Sequence, residues 1–239
     1  MGGTIEEDDS IVCIDQSFFM NDDYQLKTFT FGSQILQLYC LQSASTDFDL
    51  TGQLVWPGAM LMNDYLSKNA EILRGCSVLE LGSGVGITGV LCSRFCRKVI
   101  MTDHNDEVIK ILNKNVAHHS SDDSLVELMA EKLEWGNTDH LSQICEKHPE
   151  GFDMILGADI CFQQVSIPFL FDTVKELLDI SRKKKRHCKF LLAYVSRAKV
   201  MDSLVISEAI GHGLQIDEIA GSQTIVGNLQ GRIYEITQQ

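Results

Sequence analysis

The sequence predicts an α/β fold, a mostly parallel sheet with helices on both faces. Three observations carry that expectation. From residue 77 onward, short runs of branched and apolar residues alternate with longer stretches of helical period, joined by short links. One of those links, Val78-Leu79-Glu80-Leu81-Gly82-Ser83-Gly84-Val85-Gly86-Ile87-Thr88-Gly89, is a strand that enters a glycine-rich turn and then a helix. Asp103 lies 19 residues beyond Gly84, at the end of the next strand, where an acid can take the hydroxyls of a ribose.

The elements follow in order. Seven carboxylates precede Lys27, the first basic residue, so residues 1–23 read as a solvated acidic tail. Tyr24–Phe31 and Gln34–Leu41 are rich in aromatic and branched residues and flank Gly32-Ser33, which predicts a hairpin and an N-terminal extension over 24–50. Ser43–Asp49 reads as a polar loop. Pro57 suits a first helical position, and the pattern through Met60, Leu61, Asp64, Tyr65 and Lys68 carries that helix to about Asn69. Gly75 closes the connection. Strands are expected at Ser77–Leu81, Lys98–Thr102, Leu125–Lys132, Phe152–Ala158 and Lys189–Val195. Helices fall between them at Ile87–Phe95, Asp106–His118, Asp139–Lys147 and Ser166–Ile180, with a last one near Ala198–Gly211. Leu214–Ile219 and Arg232–Thr237 then close as an antiparallel pair, and residues 51–239 form one domain.

Composition narrows the function classes. The formal net charge of −13 argues against binding nucleic acid through phosphate contacts. No apolar run reaches the length that spans a bilayer, and the acidic start lacks a secretory signal. Glu6 stands where a myristoylation motif wants Ser or Thr. The expectation is a cytoplasmic monomer. Arg182-Lys183-Lys184-Lys185-Arg186 reads either as a solvated loop or as a nuclear-import patch. Eight cysteines contain no C-x-x-C pair, which fits reduced thiols, and Cys92 with Cys96 lacks the partners of a metal site. No metal is expected.

The glycine loop itself reads two ways. Gly84, Gly86 and Gly89 spell G-x-G-x-x-G, a dinucleotide fingerprint, whereas Glu80, Gly82, Gly84 and Gly86 spell E-x-G-x-G-x-G. A dehydrogenase also needs a second mononucleotide-binding half and a proton-handling group. The chain has no Tyr-x-x-x-Lys and no histidine–acid pair at its later strand ends. The segments Gly52-Gln53-Leu54-Val55-Trp56-Pro57-Gly58-Ala59, Leu133-Glu134-Trp135-Gly136 and Gly157-Ala158-Asp159-Ile160-Cys161-Phe162 flank the glycine loop in that order. Together they resemble the methyltransferase-like protein-lysine methyltransferases, a branch of the seven-β-strand, class I S-adenosylmethionine enzymes, from about Thr51 to Tyr234.

That resemblance implies a Rossmann-like sheet of seven strands, the last antiparallel, with S-adenosyl-L-methionine as cofactor and a protein substrate. Trp56 would pack beside the cofactor's amino-acid end, Trp135 would contact the adenine, and Gly82, Ser83, Gly84 and Gly86, with Glu80 before them, would form the loop under it. Asp103 would accept both ribose hydroxyls, and the backbone at Ala158 would line the sulfonium. Asp159 and Phe162 fill the family's Asp-x-x-Tyr/Phe motif and are the expected catalytic pair, Asp159 to hold the amine and Phe162 to wall the channel. Protein arginine, a small molecule, or cofactor binding without turnover are the other readings. In the register of Gly82, Gly84 and Gly86, Gly89 becomes a helix residue that lets the helix pack closely on the sheet.

Overall fold

In a computed structural model, which describes residues 24–42, 48–120 and 126–238, strand order and chain order part company at two places, beside β3 and where the last strand enters the sheet. The hairpin is β1 (Tyr24–Phe31) and β2 (Gln34–Leu41), paired antiparallel in full register. Then come α1 (Pro57–Lys68), β3 (Ser77–Leu81), α2 (Ile87–Cys92), β4 (Lys98–Asp103), α3 (Asp106–His119) and β5 (Glu127–Lys132). The second half holds α4 (Thr138–Lys147), β6 (Met154–Ala158), α5 (Ile167–Lys183), β7 (Lys189–Val195) and α6 (Lys199–Gly211). It ends with β8 (Leu214–Glu218), β9 (Thr224–Val226) and β10 (Leu229–Gln238). The sheet runs β5-β4-β3-β6-β7-β10-β8. The chain lays β4 and β5 on one side of β3, then returns to place β6 on the other. The crevice outside the carboxyl ends of β3 and β6 is therefore a topological switch point, where open α/β sheets bind ligands.

β3 pairs parallel with β4 and β6, and β6 with β7. Of the seven strands on that path, β10 alone runs against the rest, paired antiparallel to β7 and β8. The seven-stranded sheet with an antiparallel last strand is as expected, and β9 is an addition. Three residues hung on β10 are too short for an alternation signal.

Successive residues of each central strand enter opposite cores, as the two-residue period of a strand requires. Val78, Val99, Leu156 and Leu191 join one cluster with Met62, Leu66, Val90 and Ile111. Leu79, Ile100, Ile155 and Phe190 join another with Ile144, Phe171, Leu177 and Val205. The hairpin belongs to the first, burying Phe31, Leu36, Leu38 and Cys40. Buried Asn115 on α3 pins it there: its Oδ1 accepts from Tyr39 N at 2.8 Å, and its Nδ2 donates to Tyr39 O at 3.0 Å and Val85 O at 2.8 Å.

Element boundaries shift for local reasons. α2 stops at Cys92, short of Phe95, because Arg94 N and Phe95 N donate to carbonyls three residues back and tighten the last turn. α5 runs to Lys183, so the basic run begins as the last helical turn, where Arg182 and Lys183 face a negative dipole end. The acidic tail, most of the loop after β2, and Leu125 lie outside the described residues. No helix among the described residues is long and apolar enough to cross a membrane.

Candidate active site

A cavity of about 360 Å³ opens at the switch point, large enough for a drug-sized ligand. Its floor is the glycine loop. Gly82, Gly84 and Gly86 have φ of 62°, 54° and 85°, a region other residues rarely enter. A Cβ on Gly84 would sit 2.6 Å from Gly52 O, so the loop before α1 lies backbone to backbone against it. Gly89 is different in kind. It lies within α2, where a Cβ would collide with Met101 Cγ and Sδ, so its role is close packing of helix on sheet.

The loop is laced to β4. Ser83 N donates to Thr102 O at 2.8 Å, and Thr102 N donates to Ser83 Oγ at 3.0 Å. Asp103 Oδ2 accepts from Gly84 N at 3.2 Å, and its Oδ1 accepts from His104 N at 2.8 Å and Asn105 N at 3.2 Å. Glu80 is buried beneath the loop, where its Oε2 accepts from Gly89 N at 3.0 Å. Burial pushes its carboxyl up to about 7, against the pull of Ser83, the Gly89 N–H and Thr88. Thr88, fully buried at the start of α2, stands beside that carboxylate and helps to hold its charge.

The two tryptophans stand over the floor. Trp135 passes close enough to Gly82 that a Cβ there would meet Cζ2 at 3.3 Å. Trp56, at the start of α1 and 39% exposed, donates from Nε1 to Thr51 O at 2.8 Å. Ala158, Asp159 and Phe162 line the cavity with Val165 and Phe169. Phe162 is 48% exposed and offers only a ring face to whatever enters. All eleven residues singled out in the sequence sit in or beside this cavity; Gly86 is the one that supports it from behind.

Asp159 carries a geometry that its motif did not announce. It has φ of 62°, its N–H donates to Ala193 O at 2.9 Å, and its carboxylate is filled. Arg197 grips it with two parallel bonds, Nη1 to Oδ1 at 2.5 Å and Nη2 to Oδ2 at 2.7 Å, while Gly58 N donates to Oδ2 at 2.9 Å. The expectation that Asp159 holds an incoming amine thus meets a carboxylate already shared between a guanidinium and a backbone N–H. Arg197 went unnoticed in the sequence, although it lies two residues past the end of β7, beside β6 in the sheet. Its guanidinium also lies 5.9 Å from the Trp56 ring centroid, within cation–π range. Among the described residues no group of three or more His, Cys, Asp or Glu could hold a metal.

The sequence and the fold can be set beside known proteins. A family model described as "Lysine methyltransferase" matches residues 38–206. Protein-lysine N-methyltransferase EFM3 of Chaetomium thermophilum is 34% identical over 135 residues, 54% of this chain and 39% of that protein. Mouse protein N-lysine methyltransferase METTL21A is 30% identical over 155 residues, 64% of this chain and 65% of that one. EEF1A lysine methyltransferase 3 of Xenopus tropicalis is 34% identical over 123 residues, 52% and 51% of the two chains. The matched regions thus span between 39% and 65% of these three relatives. Magnesium protoporphyrin IX methyltransferase from Synechocystis, solved with bound SAM, superposes with a TM-score of 0.56 at 10% identity, over 82% of this chain and 86% of that one. A putative RNA methyltransferase from Pyrococcus horikoshii gives 0.54 at 13% identity, over 84% and 90%. At such identities the likeness is one of fold.

Proposed function

The chain belongs to the lysine methyltransferase family, and on that premise we propose that it transfers a methyl group from S-adenosylmethionine to a lysine side chain of a non-histone protein. The observation that supports this most is the convergence of four separated motifs on one cavity at the switch point, each at a strand or helix end. The cavity also suits the cofactor. Its floor at Gly82 and Gly84 is backbone bare of side chains, held at positive φ so that a ligand can lie against it. Glu80 and Asp103 supply carboxylates to a ligand rich in hydroxyl and ammonium donors.

In this reading Asp103 takes the ribose hydroxyls, Trp135 lies against the adenine, and Trp56 lies by the amino-acid end. The backbone of Gly82–Gly84 and Ala158 lines the remainder. The cofactor contributes an electrophilic methyl group on a good leaving group, which leaves the protein chiefly with positioning. The acceptor side must deliver a neutral amine, because an ammonium has no lone pair. At a reference pKa of about 10.4, roughly one free lysine in a few thousand is neutral at pH 7. Phe162, Val165, Phe169 and Trp56 present apolar surface to the entering side chain, which favours the uncharged form. An arginine acceptor fits less well. It wants free acids to grip its fork, and Asp159 already holds a guanidinium of this chain.

Incubating the protein with radiolabelled S-adenosylmethionine and cell extract, then hydrolysing the labelled band, should release methyl-lysine. Asp159→Ala, which leaves the Arg197 guanidinium unpaired beside the acceptor, should lower labelling at least 100-fold yet bind the cofactor within threefold of wild type. Methyl-arginine in the hydrolysate, or wild-type labelling by Asp159→Ala, would refute the respective assignment.

A further inference from the structure

We propose that Arg197 is a positioning and specificity-determining residue: by neutralising Asp159 it makes the acceptor channel one that receives an uncharged amine. The inference rests on the amine-methylating reading above and deepens it. Asp159 is the acid at the acceptor end of the cavity, and its side chain is only 3% exposed. Left alone, such a carboxylate would bind a lysine ammonium tightly and in a form that cannot react. Arg197 removes that trap. Its fork takes both oxygens, Gly58 N–H takes a further lone pair, and the pair offers an incoming cation no net charge.

The arrangement is held from several sides. The Asp159 backbone is anchored to Ala193 O and sits at φ 62°, which aims the carboxylate between α1 and the strand ends. A Cβ on Gly58 would lie 2.6 Å from Asp159 Cβ, so α1 is pressed against the pair. Arg197 is 33% exposed and lies over Trp56, at the wet edge of the site. The titratable groups nearest the pair add no charge of their own. Tyr194, behind Arg197, and Cys161, beside Asp159, are both held neutral by burial first of all. Glu80, Asp103, His104 and Glu134 lie elsewhere on the cavity wall. With the wall apolar and the acid neutralised, the bound amine loses its proton to solvent as it enters.

The consequence is kinetic and has a signature. With Arg197 changed to a neutral residue, Asp159 becomes a free anion within reach of the acceptor, and an opposite charge at that range raises an amine pKa by about 1–3 units. Ammonium then binds in an unreactive form, so kcat and KM fall together while kcat/KM holds.

The test uses the protein that carries the label in the extract experiment, purified and titrated to saturation. At pH 7, Arg197→Gln and Arg197→Met should each lower kcat about tenfold or more. KM should fall in parallel, with kcat/KM within about threefold of wild type. The half-maximal pH of kcat should move up by about one unit or more, closing the deficit in alkali. Arg197→Lys should restore the wild-type midpoint. Cofactor affinity, read from the fluorescence of Trp56 and Trp135, should stay within about threefold throughout, and the two neutral variants guard against one that fails to fold. A loss of kcat equal at every pH with KM unchanged or raised would reduce Arg197 to a structural residue and overturn the inference. A gain in kcat at pH 7 would make it a plug and overturn it too. Absence of methyl transfer by the wild-type protein at any pH would instead overturn the functional reading, and the inference with it.

Discussion

Glu80 is a buried acid that the fold holds at a disadvantage, and replacing it should stabilise the protein. Its carboxyl is pushed from 4.5 up to about 7 by burial. In the unfolded chain it ionises near 4.5, so between those two values the native state binds more protons than the unfolded state. Stability from this group is therefore fully present below about pH 4.5 and is lost as pH rises towards 7. A shift of about 2.5 units at 1.36 kcal/mol per unit amounts to about 3 kcal/mol forfeited at pH 8. Glu80→Gln keeps an oxygen to accept the Gly89 N–H, which is 3.0 Å from Oε2, and removes the charge. Urea unfolding should show the variant more stable by about 3 kcal/mol at pH 8 and by less than about 1 kcal/mol at pH 5. For a domain of this size that corresponds to a rise of about 6–12 °C in Tm at the higher pH. A variant less stable than wild type at pH 8, or one whose gain is the same at both pH values, would refute the burial argument. A destabilising ion kept in the wall of a cavity is what a binding site leaves in a fold.

Two further substitutions separate the halves of the site. Asp103→Ala removes the acceptor of Gly84, His104 and Asn105 N–H groups as well as the proposed ribose contact. Affinity for S-adenosylmethionine by calorimetry should fall about 10- to 100-fold, the effect of losing a charge-assisted bond, and retention within threefold would remove Asp103 from the cofactor's partners. Gly58→Ala would put a Cβ 2.6 Å from Asp159 Cβ and 2.9 Å from its N. The gain in helix propensity is outweighed because those atoms are backbone or next to it and cannot step aside. Unfolding free energy should drop by about 1–3 kcal/mol, and turnover should fall at least tenfold with cofactor affinity kept within threefold. A variant as stable and active as wild type would show that α1 does not brace the acid.

What could be read from the sequence depended on the range of the physics. The hairpin, Ser77–Leu81 and Lys189–Val195 were legible to the residue because alternation and turn chemistry act between near neighbours. The tight turn through Gly82, Gly84 and Gly86 was legible too, and the space around Gly89 bears out its place as a packing residue. The filling of the Asp159 carboxylate was not. Its partners lie 101 residues before it and 38 after it, and only the order of β6 and β7 in the sheet brings them together. Arginines two residues past a strand are common, and nothing local marks this one. Asn115 was hidden for the same reason, a polar residue in a helix whose three bonds all leave the helix.

That asparagine makes the hairpin and the glycine loop share one fate. One side chain bonds the backbone of β2 at Tyr39 and the backbone of the cavity floor at Val85, so neither can shift without breaking a buried amide's bonds to the other. Sliding the hairpin off the floor would break up to three such bonds, each worth about 0.5–1.5 kcal/mol net. The hairpin is thereby tied to the backbone that floors the cavity, with Asn115 as the knot.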